Sequence, residues 1–309
     1  MQLSIWGLIK GQFKKQPPVV NADLTGKTVL VLGASAGLGL EAAKRFARMN
    51  PGRLILACRN QSKGQAAADT GHAYIHIELK ADTGYKNAEL WIIDLADFDS
   101  VRRFADKFDK EGGRLDILVE NAAVAKVTYE PTKDGWESSL QVNCLSTPLV
   151  AILLLPHMMR TAQEHSTVPR TVVHASIPKR VLESGNIRAA QTAARPGKIM
   201  RASYMVTKPL NERLGTAPLI VNAVHPGFCV SELRRDLSGP AMEGGRRLVH
   251  GAVGMPENPD KLRGEYLNYD FEISQKAQDQ IWDELVETLG KVDPRVLTVV
   301  NKYLARDIL

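Results

Sequence analysis

The chain has 309 residues, 44% of them hydrophobic and 24% charged, with a formal net charge of +6. That length allows one large α/β domain or two small ones, and no run approaches the ~18 apolar residues of a membrane span. No basic cluster is interleaved with aromatics, which argues against nucleic acid, and the three cysteines, Cys58, Cys144 and Cys229, lack the close spacing of a metal site or disulfide framework and suit a reducing, cytoplasmic compartment.

Residues 1–22 read as an N-terminal arm. Trp6, Ile9 and Phe13 recur at helical spacing beside Lys10, Lys14 and Lys15. Such a segment packs on the domain or lies against a membrane surface through residues 1–16. Pro17-Pro18 ends it. No secretory leader pattern is present in it. Residues 23–309 contain no internal repeat, low-complexity tract or linker, and read as one domain.

A turn, Asp23-Leu24-Thr25-Gly26-Lys27, leads into a strand over Thr28–Leu32. Gly33-Ala34-Ser35-Ala36-Gly37-Leu38-Gly39 follows. A helix then runs from Gly37 to about Met49, stopped by Asn50-Pro51-Gly52. Strand, glycine turn and helix are the setting in which a glycine triplet signals a dinucleotide. Gly33 permits the tight turn, Gly37 lets backbone approach a pyrophosphate, and Gly39 lets the helix pack on the strand. Ser35 and Leu38 flank the helix start, where N–H groups and partial positive charge face an anion.

Leu54–Ala57 is a second buried strand, ending in Cys58-Arg59-Asn60. In a doubly wound sheet this strand end faces the adenosine ribose. An acidic residue there would bind both ribose hydroxyls. Arg59, with Lys63, instead suits a 2′-phosphate and points to NADP(H). Ser62–Asp69 reads as a helix and Thr70–Asn87 as an irregular loop. His72 and His76 fall four apart within that loop, but the chain around them reads as extended and no third ligand is in view, so no metal is expected.

Glu89–Ile93 is strand three, and Asp94-Leu95 at its end offers a carboxylate to an adenine amino group. A helix from about Phe98 to Lys110 stops at Gly112-Gly113. Leu115–Val119 is strand four, closing in Glu120-Asn121-Ala122-Ala123, small residues where backbone would approach a cofactor. A long helix from about Asp134 to Ala162 buries Asn143, which needs a hydrogen-bond partner, and Pro148 and Pro156 should bend it. Thr171–Ala175 is strand five, ended by Ser176. Tyr204-Met205-Val206-Thr207-Lys208 follows a polar stretch. Leu219–Val224 is strand six, leading into His225-Pro226-Gly227 and on to Ser231. Glu265–Asn268 reads as strand seven and Ser274–Leu289 as the last strong helix. Strands alternating with helices, with polar residues at the strand ends, imply a parallel sheet with helices on both faces.

These residues together resemble the short-chain dehydrogenase/reductase family, in its retinol-dehydrogenase-like branch. Four features in order carry the resemblance: Gly33 to Gly39, Asp94-Leu95, Glu120-Asn121-Ala122-Ala123, and Tyr204-x-x-x-Lys208. The opening Trp6 segment, Ile55 to Asn60 and Val119 to Ala122 are also similar to reductases of fungal secondary metabolism. The resemblance covers Leu24 to about Leu289 and implies a doubly wound Rossmann fold of about seven strands. It implies a catalytic set of Asn143, Ser176, Tyr204 and Lys208. Pro226, Gly227 and Ser231 would join the cofactor contacts, as would Asn121, Ala122, Tyr204 and Lys208. The substrate implied is a lipophilic carbonyl or alcohol.

The chemistry suits the residue types. A free tyrosine titrates near ~10, too high for efficient proton transfer at neutral pH. Lys208, four residues on, shares its helical face. Its charge would lower the phenol pKa, and its ammonium would bind the nicotinamide ribose. Ser176 would hold the substrate oxygen, and Asn143 would anchor a water relaying protons to Lys208.

The chain departs from the family at Leu32, Glu120 and Ala123, where Thr, Asn and Gly are usual. Pro209 is the sharper departure. It removes a helical hydrogen bond to Met205 and should strain the turn that aims Lys208 at Tyr204, at a cost of about 3 kcal/mol. Gly215 and Pro218 should cut this helix short. In the family that helix commonly pairs two subunits, so a monomer or an atypical homodimer is expected. The alternative to an enzyme is a nucleotide-binding relative with little catalysis, serving as a binding or regulatory protein.

Overall fold

The computed structural model describes residues 20–59, 78–124, 126, 128–174, 187, 204–224, 241–263, 266–267 and 275–305. Seven strands form one sheet: β1 (Thr28–Leu32), β2 (Arg53–Cys58), β3 (Ala88–Ile92), β4 (Ile117–Glu120), β5 (Arg170–His174), β6 (Ile220–Val224) and β7 (Tyr266–Leu267). Their order is β3-β2-β1-β4-β5-β6-β7, and every neighbouring pair is parallel. The chain therefore winds outward from β1 to β3, returns to the centre at β4, and winds the other way. Among the described residues, the helices of nine residues or more are α1 (Gly37–Arg48), α2 (Phe98–Glu111), α3 (Thr147–His165), α4 (Tyr204–Leu214), α5 (Ala241–Val253), α6 (Gln275–Val292) and α7 (Arg295–Tyr303). This is the doubly wound Rossmann arrangement expected from the sequence. Its reversal between β1 and β4 opens a crevice at the strand C-termini.

The sheet is covered on both faces, which is why its strands read as apolar runs rather than alternations. Leu30, Leu32, Leu118 and Val173 pack with α2, α3, α4, α6 and α7. Val29, Val31, Val119 and Val172 pack with α1 and α5 on the other side. The stretch Ser138–His165 is long and apolar enough to cross a membrane, but its apolar 18-residue window is 94% buried inside the protein, so it is a core helix.

Three segments differ from the sequence expectation. The helix expected over Asp134–Ala162 begins as a short turn at Ser138–Leu140, widens into a π segment at Gln141–Ser146, and only then becomes α3. Pro148 sits at the start of α3, and Thr147 Oγ1 donates to the Val142 carbonyl at 2.9 Å. Within the loop expected at 70–87, residues 78–83 are helical. Lys44 of α1, almost fully buried, collects Glu41, Glu78 and Asp82 at 3.4, 2.6 and 2.6 Å. Those carboxylates hold its pKa above the ordinary lysine value against the effect of burial. Leu79 is fully buried beneath them. Finally, α6 runs on to Val292, and α7 follows it. Asp293 accepts the Arg295 N–H at 2.9 Å and starts the new helix, whose Val296 and Val299 enter the core.

At the end of β4, Glu120 points into this core beside Val173 of β5. It is 3% exposed, and its Oε1 has no partner among the described residues. Burial pushes its carboxyl well above the ordinary value of 4.5. The folded state thus keeps the proton that the unfolded state loses above that pH. Stability should fall as pH rises from there, by about 1.4 kcal/mol per pH unit until the buried group itself ionises. Glu120→Gln is therefore expected to stabilise the protein at pH 8 and to leave it nearly unchanged at pH 4, measured by urea midpoints at both pH values.

Candidate active site

The turn after β1 is shaped by contacts that exclude any Cβ. Gly33 has φ +75° and Gly37 has φ +58°, a region in which L side chains are strained. A Cβ on Gly33 would lie 2.7 Å from the Ala122 Cα. One on Gly39 would lie 2.2 Å from the Gly33 carbonyl oxygen and 2.5 Å from Asn121 Nδ2. Gly39 thus brings α1 against β1 and β4. Ala36 precedes α1 and has no side chain with which to cap it. The first turn carries no acid, and Arg45 and Arg48 sit in the last turn. The opening N–H groups and the dipole are left for an anion.

These groups line a cleft of about 410 Å³ at the strand C-termini. Gly33, Ser35, Gly37 and Leu38 form its floor, and Cys58, Arg59, Asp94 and Leu95 one end. Arg59 is exposed there. Asp94 Oδ1 accepts the Ala96 N–H at 2.9 Å, while the Asp94 N–H donates to Ser100 Oγ at 2.9 Å. The strand end is thereby rigid, with its second carboxylate oxygen available. The Cys58 thiol is buried and pushed up to about 12 by desolvation, which makes it unreactive. The turn, the uncapped helix start and the acceptor at Asp94 fit a dinucleotide.

Asn121, Ala122, Ala123 and Val124 form the other wall, with Lys126 and His174. Asn121 Nδ2 donates to the Gly33 carbonyl at 3.1 Å, and Asn121 Oδ1 meets His174 Nδ1 at 3.2 Å. Asn143 lies on the π segment and is buried. Its Oδ1 accepts the Val124 N–H at 3.0 Å and its Nδ2 donates to the Val124 carbonyl at 2.8 Å. Both amide atoms are engaged, so this side chain shapes the cleft wall. Lys126 pairs with Glu130 at 2.8 Å, and its N–H donates to Ser139 Oγ at 3.2 Å.

Helix α4 contains Tyr204 and Lys208 four residues apart, on one face. The turn is helical despite Pro209, which lies inside the element rather than ending it. Lys208 is half-buried, with Nζ 3.8 Å from Glu212 Oε1. The helix stops at Leu214, before Gly215 at φ +52°. In its last turn, the Arg213 guanidinium lies 4.6 Å from the Trp282 ring centre and 3.5 Å from Asp279. Lys63, Ser176, Pro226, Gly227 and Ser231 lie outside the described residues, as do the Tyr204 side chain, the Trp6 segment and His72 with His76.

The structure therefore brings Gly33, Ser35, Gly37, Leu38, Arg59, Asp94, Leu95, Asn121 and Ala122 to one cleft. Gly39 and Asn143 act from behind its walls. Sequence reasoning missed His174 and Lys126. His174 sits on a strand whose apolar run hides it, and Lys126 follows a motif that ends at Ala123.

The close packing makes a sharp contrast testable. Gly39→Ala drives a Cβ into backbone and should cost about 2–3 kcal/mol. Gly26→Ala, at φ +71° with nothing within 4 Å, should cost only about 1 kcal/mol of backbone strain. Urea unfolding of the two variants separates these outcomes.

Comparison with known proteins agrees with this architecture. The short chain dehydrogenase family model matches residues 27–177. A short chain dehydrogenase/reductase of Cryptosporiopsis sp. is 32% identical over 333 residues, covering 94% of this chain and 98% of that protein. Retinol dehydrogenase 12 of Homo sapiens is 31% identical over 294 residues, covering 87% and 88%. An uncharacterized protein from Mycobacterium paratuberculosis has a solved structure that matches with TM-score 0.61 at 25% identity, covering 92% of this chain and 98% of that one. With the glycine turn, the crevice beside it and the Tyr204–Lys208 helix in their expected order along one sheet, the chain belongs to the short-chain dehydrogenase/reductase family of oxidoreductases.

Proposed function

We propose that this protein is an NADP(H)-dependent oxidoreductase that interconverts a carbonyl and an alcohol on a lipophilic small molecule of secondary metabolism. The observation that carries the cofactor choice is Arg59. It stands exposed at the cleft end where β2 closes, and the strand end presents no carboxylate of its own. A planar, permanently charged guanidinium there favours a 2′-phosphate over two free hydroxyls.

The nicotinamide ring supplies the hydride chemistry when bound. The chain's own part is to bind, orient and move a proton. Gly33, Gly37 and the start of α1 hold the pyrophosphate. Asp94 accepts from the adenine amino group, and Asn121 and Ala122 line the path toward the reacting end. Tyr204 gives the proton from its hydroxyl to the substrate oxygen. Lys208 lowers the phenol pKa through its charge and reaches the ribose. Ser176 orients the substrate oxygen. The likeness to retinol dehydrogenase 12, named for a lipophilic alcohol, supports the substrate class.

Helices α6 and α7 pack over α4 and α3 within one chain, through Trp282, Leu285, Val296 and Val299. That cover supports a monomer, and light scattering is expected to find a species of 34.0 kDa.

Cofactor titration with a turnover screen tests the reading. NADPH should bind more tightly than NADH, and Arg59→Ala should weaken NADPH about 10–100-fold while changing NADH less than about threefold. Tyr204→Phe should lower kcat by at least about 100-fold with cofactor affinity retained. Equal affinity for both cofactors would overturn the Arg59 assignment. Turnover equal to wild type in Tyr204→Phe would overturn the catalytic one.

A further inference from the structure

His174 ends β5, buried to 3% exposure yet lining the cleft. Its Nδ1 meets Asn121 Oδ1 at 3.2 Å, Asn121 Nδ2 reaches the Gly33 carbonyl at 3.1 Å, and the Gly33 N–H donates to the Ala57 carbonyl at 2.8 Å. These bonds cross the C-terminal ends of β5, β4, β1 and β2 in sheet order. Their polarity is determined from one end. A backbone carbonyl only accepts, so Asn121 must turn its NH₂ to Gly33 and its oxygen to His174. His174 must then carry hydrogen on Nδ1 and donate it. All three donors point the same way along the row, and each bond polarises the next.

The row passes beneath the turn that would hold the pyrophosphate. Gly33 is fixed from both sides by it, through its N–H toward β2 and its carbonyl toward β4. Asn121 has no other support for its orientation among the hydrogen bonds described, and Leu32, just before the turn, is apolar and supplies none. Replacing the imidazole by an apolar side chain would leave Asn121 Oδ1 buried without this donor, and its amide could turn away from Gly33.

We propose that His174 is a positioning residue for the cofactor: through Asn121 it holds the Gly33 peptide and thereby the phosphate-binding turn. It acts from the strand that leads to Ser176, so it ties the reacting end of the cleft to the phosphate end. The proposal rests on the nucleotide-binding reading of the cleft. It names an imidazole where the sequence motifs assign no role.

Three variants test it. His174→Val removes the donor. His174→Asn keeps an NH₂ near the position of Nδ1. His174→Gln places its NH₂ one bond too far. In His174→Val and His174→Gln the NADPH dissociation constant should rise about tenfold, with the loss larger in cofactor KM than in kcat. His174→Asn should return within about threefold of wild type. In protein without cofactor, hydrogen exchange at the Gly33 amide should accelerate about tenfold in the first two variants and recover in the third. If His174→Val does not fold, the Asn and Gln pair gives the same contrast. Unchanged affinity and exchange in His174→Val, or no difference between the Asn and Gln variants, would overturn the proposal. Wild-type protein that binds neither NADPH nor NADH would instead overturn the nucleotide reading, and the Gly33 exchange data would still decide the role of His174.

Discussion

The Gly33 carbonyl oxygen is where the parts of this protein meet. Gly39 of α1 passes so close to it that no Cβ fits between them, and Asn121, just after β4, donates to it. Close packing of helix, turn and strand at one atom sets the pitch of α1 against the sheet. It also aims the first amides of α1 into the crevice. Anion binding and fold stability therefore share the same few ångströms, and neither can be altered there alone.

The two faces of the sheet are put to different use. On the α1 and α5 side, packing serves the cofactor turn. On the other side lie α3, preceded by the π segment that carries Asn143, and α4, which carries Tyr204 and Lys208, and α6 and α7 cover them from outside. Arg295 secures that cover, contacting Asp293, Asp106 and Asp109 at 2.7, 2.8 and 3.2 Å. Helices α6 and α7 thus give α3 and α4 an apolar surface to lie against.

Two local irregularities sit where chemistry is expected. The π segment at Gln141–Ser146 carries Asn143, whose amide pairs with both backbone polar groups of Val124. Pro209 lies inside α4 immediately after Lys208, yet the helix continues through it to Leu214. Burial of Leu210 and Leu214 against the core offsets the hydrogen bond that proline removes. Tertiary packing here outweighs the local preference that argued against the turn.

The sequence by itself determined the order of strands and helices, the glycine turn, and the spacing of Tyr204 and Lys208. Those are local properties: backbone freedom at Gly33 and Gly37, apolar runs of strand length, and a four-residue period. Arg59 and Asp94 were legible for the same reason, since a strand end can be found once the strand is found. Pairings between distant segments were not legible. Asn121 reaches Gly33 across 88 positions and His174 across 53. Glu120 reads as a polar strand end, and only the covering helices make it a buried carboxyl whose ionisation burial disfavours. Helix α7 lies beyond the last helix read from the sequence, and its apolar side docks on α3. Local periodicity reports which element forms. Which polar groups become partners depends on segments brought together by the sheet, and that was decided only when the chain folded.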